Sequence, residues 1–287
     1  MKATPLAGPF GAEITGLDLS EELSFSVLKQ LIDWLYEYRV VVIRAQDLKP
    51  AEYVRFGKHW GDPIEFFLPT HRDAEHPEMI RISNSPETPM SQRDGAAHWH
   101  TDSSYETVPA SVTMLYAVEA PDVGGDTMFI DMAAAFDGLP ADQQAEFESL
   151  QARHMVVGGK SLQLDNEKVG GEETEEVRRQ REKESPLHPL VLRHPVTGRA
   201  ALYAVSGSAY GIEGQSPEEG TKLLAELKAH AVQEQFMQRV KAGKGDVLIW
   251  DNLSTMHSAT PSEYSDEPGK RRLLYRISTR NLPQVYR

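Results

Sequence analysis

The 287-residue chain contains no cysteine. Disulfides, zinc–thiolate sites, iron–sulfur clusters and cysteine nucleophiles are therefore excluded, and any metal must be held by nitrogen and oxygen. An excess of positive charge is missing too: 30 Lys and Arg stand against 43 Asp and Glu, a formal net charge of −13. Nucleic acids and anionic membrane surfaces need a basic footprint that this balance denies, although an active site can still be locally cationic. No window approaches the roughly 18 consecutive apolar residues of a spanning helix. The opening Met1-Lys2-Ala3-Thr4-Pro5-Leu6-Ala7-Gly8-Pro9 lacks a continuous apolar core of signal-peptide length. These absences predict a soluble, cytoplasmic protein with neither a nucleic-acid nor a membrane partner. Repeats and a domain-separating linker are also lacking, so 1–287 reads as one domain, a length that β barrels and sandwiches reach.

What is present is a 40% apolar content, ample for a large core. Residues 9–20 read as a short hairpin, and Leu23, Val27, Leu31 and Leu35 repeat at helical spacing through 21–38. The β-branched run 39–44 predicts a buried strand. A helix over 50–60, closed by Gly61, follows. Alternation then predicts strands at 80–83 and 111–117, a turn at Gly124-Gly125-Asp126, and a strand at 127–130. Residues 131–150 read as two helical pieces broken at Pro140, and 187–205 as strands folded about a turn at 194–199. Ser216 caps a helix over 217–240, and strands at 247–251 and 272–278 close the chain. The glycine-rich, highly charged stretch 158–186 reads as a solvated surface helix or as a lid over a site. Mostly antiparallel strands with grouped flanking helices predict a mainly β jelly roll.

Chemistry concentrates in His98-Trp99-His100-Thr101-Asp102. On a strand, His100 and Asp102 would point to one face. An imidazole and a carboxylate converging this way are two thirds of the 2-His-1-carboxylate triad that holds non-haem Fe(II) with open coordination positions. His257, just past the strand 247–251, can supply the third ligand from across a barrel. Arg272 and Arg276 are four apart and so share one face of the last strand, where guanidinium groups suit carboxylate clamping.

These segments resemble the taurine dioxygenase and chlorophenoxyacetate dioxygenase (TauD/TfdA) family of Fe(II)/2-oxoglutarate enzymes. The resemblance runs through Trp99 to Tyr105, Gly124-Gly125-Asp126-Thr127, Trp250-Asp251-Asn252 leading to His257, and Arg272 to Arg276. It is supported by 11–16, 40–44 and His194-Pro195 with Gly198. It implies a double-stranded β-helix of cupin-like form, with His100, Asp102 and His257 as iron ligands and O2 as cosubstrate. It further implies that Arg272 and Thr127 bind the distal carboxylate of 2-oxoglutarate, and that Arg276 takes a sulfonate or carboxylate of the substrate. Oxidation of a C–H bond would be coupled to decarboxylation of 2-oxoglutarate to succinate and CO2.

His98, Tyr105, Phe66, Phe67 and Tyr203 are candidate pocket residues. Glu65 stands near where taurine enzymes carry a substrate-binding histidine, with His71 a few residues on. An acid there would repel a sulfonate, which argues against taurine itself. The expected substrate is a small anionic molecule, a sulfonate, an aryloxy acid or another carboxylic acid; Asp102 to Tyr105 resembles the chlorophenoxyacetate branch more closely, which leans towards a small organic acid with an apolar body. Alternatives are the same cofactor chemistry in secondary metabolism, desaturating or decarboxylating an amino-acid-derived acid, and a zinc-dependent hydrolase on a jelly roll. A metal-free binding protein is a third class. The resemblance also suggests a homodimer or homotetramer.

Overall fold

The computed structural model describes residues 1–156, 175–183 and 185–287. Its largest sheet has eight strands. In spatial order these are Lys2–Pro5, Ala12–Thr15, Val40–Ile43, Val247–Asp251, Ala110–Glu119, Leu273–Arg280 and Asp62–Pro63, with Ile80–Ser83 also paired to Leu273–Arg280. Only Ala12–Thr15 against Val40–Ile43 runs parallel.

Period-two alternation sorts this sheet into two apolar faces. Val41, Ile43, Val112, Met114, Tyr116, Val247, Ile249 and Ile277 pack beneath the helices Phe25–Tyr38 and Pro50–Gly57, against Leu31, Ile32, Leu35, Tyr53 and Phe56. Val40, Val42, Leu115, Ala117, Leu248, Trp250 and Leu274 take the other face. Burial on both faces explains why residues 40–43 are apolar without a break.

A smaller sheet of Met237–Val240, Thr127–Asp131 and Thr255–Ala259 lies against that second face, contributing Phe129 and Val240 to the shared core. Its own outer face, with Ile130 and Met256, joins a third cluster. That cluster includes residues of the helices Met132–Asp137 and Pro217–Ala231, the hairpin Val191–Arg193 with Ala200–Leu202, and the sheet Ala209–Ile212, Gln151–His154 and Leu187–Pro189. Two facing antiparallel sheets with helices outside are the expected jelly roll.

Three local expectations are corrected. The first hairpin pairs Lys2–Pro5 with Ala12–Thr15, because Leu6 N–H closes the turn onto the Gly11 carbonyl at 2.9 Å. The helix starting at Pro217 stops at Ala231, and residues 237–240 are a strand on Thr127–Ile130 instead. Residues 98–102 form no strand, as described below. Most of the expected lid, 158–174 and 184, lies outside the described residues. Its described part is the helix Glu175–Glu182, where Val177 and Gln180 are buried. Among the described residues no helix is long and apolar enough to cross a membrane.

Candidate active site

His257 sits at the centre of Thr255–Ala259, directly opposite Phe129 on the neighbouring strand. Both side chains enter the space between the sheets, where the His257 ring lies 4.7 Å from that of Trp250. His100 reaches the same place through a single antiparallel bridge. Its N–H donates to the His257 carbonyl at 2.9 Å, and its carbonyl accepts the His257 N–H at 2.8 Å. Past this bridge the chain turns: Ser103 adopts φ 53°, a left-handed conformation that ends extended pairing. Asp102 is therefore aimed by hydrogen bonds and not by strand alternation. Asn252 Oδ1 accepts its N–H at 3.4 Å, and Arg276 donates to its Oδ1 at 3.2 Å. Gly207 lies against His100 so tightly that a Cβ there would stand 2.8 Å from that of His100.

The ligand atoms of His100, Asp102 and His257 lie within 4.8 Å of one another, the only such His/Cys/Asp/Glu group among the described residues. His100 Nε2 is 3.8 Å from Asp102 Oδ1, and His257 Nε2 is 3.6 Å from Asp102 Oδ2. The His98 carbonyl, 2.8 Å from His100 Nδ1, can only accept. That places the ring proton on Nδ1 and leaves the Nε2 lone pair free. Burial lowers His100 to about 4, helped by the neighbouring His257, and burial likewise lowers His257 to about 4. Burial alone would raise Asp102, but Arg276 and the two imidazoles outweigh it and hold the carboxyl at about 2. Two neutral imidazoles and one carboxylate are the forms a divalent cation takes. Asp102 Oδ2 is buried without a hydrogen-bond partner, a vacancy such a cation would fill.

Arg272 immediately precedes the strand that carries Arg276. It is buried, with its stem beneath the turn at Gly125, whose Cβ would lie 3.6 Å from Arg272 Cδ. Its own N–H donates to Asn84 Oδ1 at 2.7 Å, but its guanidinium has no ion-pair partner among the described residues. Burial lowers it to about 10, against the attraction of Asp94. Thr127, also buried, opens the inner strand of the smaller sheet on the same face as Phe129.

The Arg276 guanidinium, which bonds Asp102, lies 5.4 Å from the Phe66 ring, and its Nε is buried without a partner among the described residues. Phe66 contacts Phe67 at 4.7 Å and His71 at 5.6 Å, and Phe67 meets Tyr105 edge-on at 5.7 Å. Burial and Arg276 together lower His71. His98 stacks on His100 at 4.6 Å and is lowered to about 3, chiefly by burial. Phe66, Tyr105, His98 and Arg276 are thus gathered around the triad. Tyr203 lies in a different cluster, 5.7 Å from His188 and 6.3 Å from His154. Glu65 pairs with Arg72 at 3.0 Å and its side chain is 57% exposed, so its charge is spent on the surface. Sequence reasoning named Phe67 beside Phe66 as a pocket candidate, gave Asn252 no role of its own and left His71 as an outlier. No periodicity marks the irregular loop 64–72, whereas Asn252 was visible within the Trp250-Asp251-Asn252 motif.

The family model described as taurine catabolism dioxygenase TauD, TfdA family matches residues 2–278. The α-ketoglutarate-dependent 2,4-dichlorophenoxyacetate dioxygenase of Cupriavidus pinatubonensis is 35% identical over 269 residues, covering 89% of this chain and 90% of that protein. The (S)-phenoxypropionate/α-ketoglutarate-dioxygenase of Sphingobium herbicidovorans is 33% identical, covering 90% and 88%. Among solved structures, AAD-2 in complex with Mn(II) and N-oxalylglycine superposes with a TM-score of 0.78 at 28% identity, over 98% of each chain. Enzymes of this kind use Fe(II), 2-oxoglutarate and O2, and the His100–Asp102–His257 cluster offers the matching donors. The chain belongs to the TauD, TfdA family of α-ketoglutarate-dependent dioxygenases.

Proposed function

We propose that this dioxygenase oxidises a C–H bond of a small aryloxy or related aromatic carboxylic acid. The carrying observation is Arg276, whose guanidinium spans Asp102 and the Phe66 ring. A carboxylate on Arg276 would bring the adjacent carbon towards the triad, while the aromatic body packs on Phe66, Phe67 and Tyr105. The unpartnered Arg276 Nε–H is a donor waiting for such an acceptor. Similarity to dioxygenases named for aryloxy acids supports the same class. His71, neutral and beside Arg276, adds a polar contact to the anion, and His98 lines the wall next to His100.

In this reading His100, Asp102 and His257 hold Fe(II). The bound metal supplies O2 activation coupled to conversion of 2-oxoglutarate to succinate and CO2. Arg272 and Thr127 receive the distal carboxylate of 2-oxoglutarate. The protein's own work is to keep both imidazoles neutral, fix the His100 tautomer, orient two anions with two arginines and keep water out of the inter-sheet space.

The test is anaerobic titration of the Fe(II)–2-oxoglutarate form with aryloxy acids, sulfonates and amino acids, following visible absorption. Aryloxy acids are expected to perturb the band at the lowest concentrations. A response confined to sulfonates or amino acids would overturn the substrate class. Turnover that persists without O2 or 2-oxoglutarate would return the zinc-hydrolase alternative.

A further inference from the structure

We propose that Asn252 is a positioning residue for the metal centre, holding Asp102 in place with the help of Thr113. The inference rests on the metal-site reading above and assigns the origin of its geometry. Asn252 is completely buried, and every polar atom of its side chain is committed. Oδ1 accepts the Trp250 Nε1–H at 3.1 Å and the Asp102 N–H at 3.4 Å. Nδ2 donates to Thr113 Oγ1 at 2.8 Å. Two N–H donors converge on Oδ1, so the amide has one permitted orientation; flipped, it would set its NH2 against both.

The consequence reaches the carboxylate. Because Asn252 donates into Thr113 Oγ1, the threonine proton must point elsewhere. Ser278 Oγ accepts it at 2.9 Å, and the hydroxyl is also the least of the influences that lower the Asp102 carboxyl. Asp102 is thus held at its backbone by the Asn252 amide, whose own orientation Thr113 helps fix, and at its side chain by Arg276. A carboxylate at position 252 would have the same shape but would remove the donor to Thr113 and add a negative charge beside Asp102.

The segment carrying Asn252 also sets the other two ligands. Asp251 Oδ1 accepts the Leu253 N–H at 3.0 Å, and Thr255 Oγ1 donates to the Asp251 carbonyl at 2.7 Å, which fixes the turn. His257 follows two residues later and exchanges both backbone hydrogen bonds with His100. Residues 251–257 therefore act as one template: the Asn252 side chain references Asp102, and the His257 backbone references His100.

The experiment is Co(II) binding to the metal-free protein, by calorimetry and by the visible spectrum of bound Co(II), with circular dichroism as a check of folding. Asn252→Asp and Asn252→Ala are expected to weaken Co(II) binding roughly ten- to a hundredfold and to alter the spectrum, as loss of a ligand-orienting partner does. Thr113→Val keeps shape and removes the hydroxyl, and should weaken binding in the same direction; Thr113→Ser should restore it. If the Asn252 variants do not fold, the Thr113 pair decides. Folded variants that bind Co(II) within twofold of the parent, with an unchanged spectrum, would overturn the proposal. A parent that takes up no Co(II) would overturn the metal reading and this inference with it.

Discussion

Arg272 is a buried cation with no ion-pair partner among the described residues, and a folded chain keeps such a group only at a cost. The cost is intelligible if an anion is meant to arrive there. Two consequences of opposite sign follow for Arg272→Met, which preserves the apolar stem and removes the charge. The stability of the ligand-free protein should rise, by about 1 kcal/mol or more, since replacing buried ionic groups with packed apolar ones is often stabilising. The 2-oxoglutarate concentration needed for half-maximal turnover should rise far more than that of the primary substrate, on the order of a hundredfold for a lost charge-assisted pair. Urea denaturation and steady-state kinetics report the two effects. Equal increases for both substrates, or a destabilised variant, would mean that Arg272 serves packing and not the keto diacid.

Between residue and fold, the ligand-bearing turn is held by elements outside the two sheets. Gln180, on the helix Glu175–Glu182, donates to Glu106 Oε1 at 2.8 Å, and His188 approaches the Glu106 carbonyl at 3.1 Å. Glu106 in turn closes the turn onto the Ser103 carbonyl at 2.9 Å, one residue beyond Asp102. Gln180 therefore ties the helix to the segment bearing Tyr105. Gln180→Ala should raise the substrate KM several-fold while leaving Co(II) affinity within about twofold. A matched loss of metal affinity would show that the helix supports the metal site itself.

Legibility at this scale followed the source of order. Strands such as Ala110–Glu119 and the helix Phe25–Tyr38 were readable because their apolar positions repeat at 2 or about 3.6, although the helix starts at the Ser24 cap and not at residue 21. The end of the helix at Ala231 was not, because pairing of Met237–Val240 with Thr127–Ile130 is decided by partners over a hundred residues away. The triad residues were legible as chemistry, yet the strand assumed to align His100 and Asp102 was not what forms. A bridge to His257 and the side chains of Asn252 and Arg276 do that work, and local alternation carries no information about them.

Across the whole molecule, the two cores between and beside the sheets enclose several imidazoles that must stay neutral. Burial lowers His98 and His154 to about 3, and His100 and His257 to about 4, from the ordinary 6.5. As pH falls below 6.5 the unfolded chain takes up protons on these four residues while the folded chain does not. Stability therefore rises with pH through this window, is complete above about 6.5, and is lost as pH falls towards 4. Asp102, held at about 2, stays ionised in both states down to 3.8 and adds its own loss only below that. Each histidine contributes at most about 1.4 kcal/mol per pH unit within its window. The metal-free protein should accordingly show a urea midpoint that drops steeply between pH 7 and 5. His154 separates this effect from metal binding, since it is fully buried, its ring nitrogens have no partner among the described residues, and it packs with His188 and Tyr203 and is not one of the triad. His154→Gln cannot be protonated, so its stability should fall less steeply with acid, by about one proton's worth of slope. An unchanged slope would mean that the His154 imidazole is already solvated in the folded chain and that its cluster with His188 and Tyr203 is open to water.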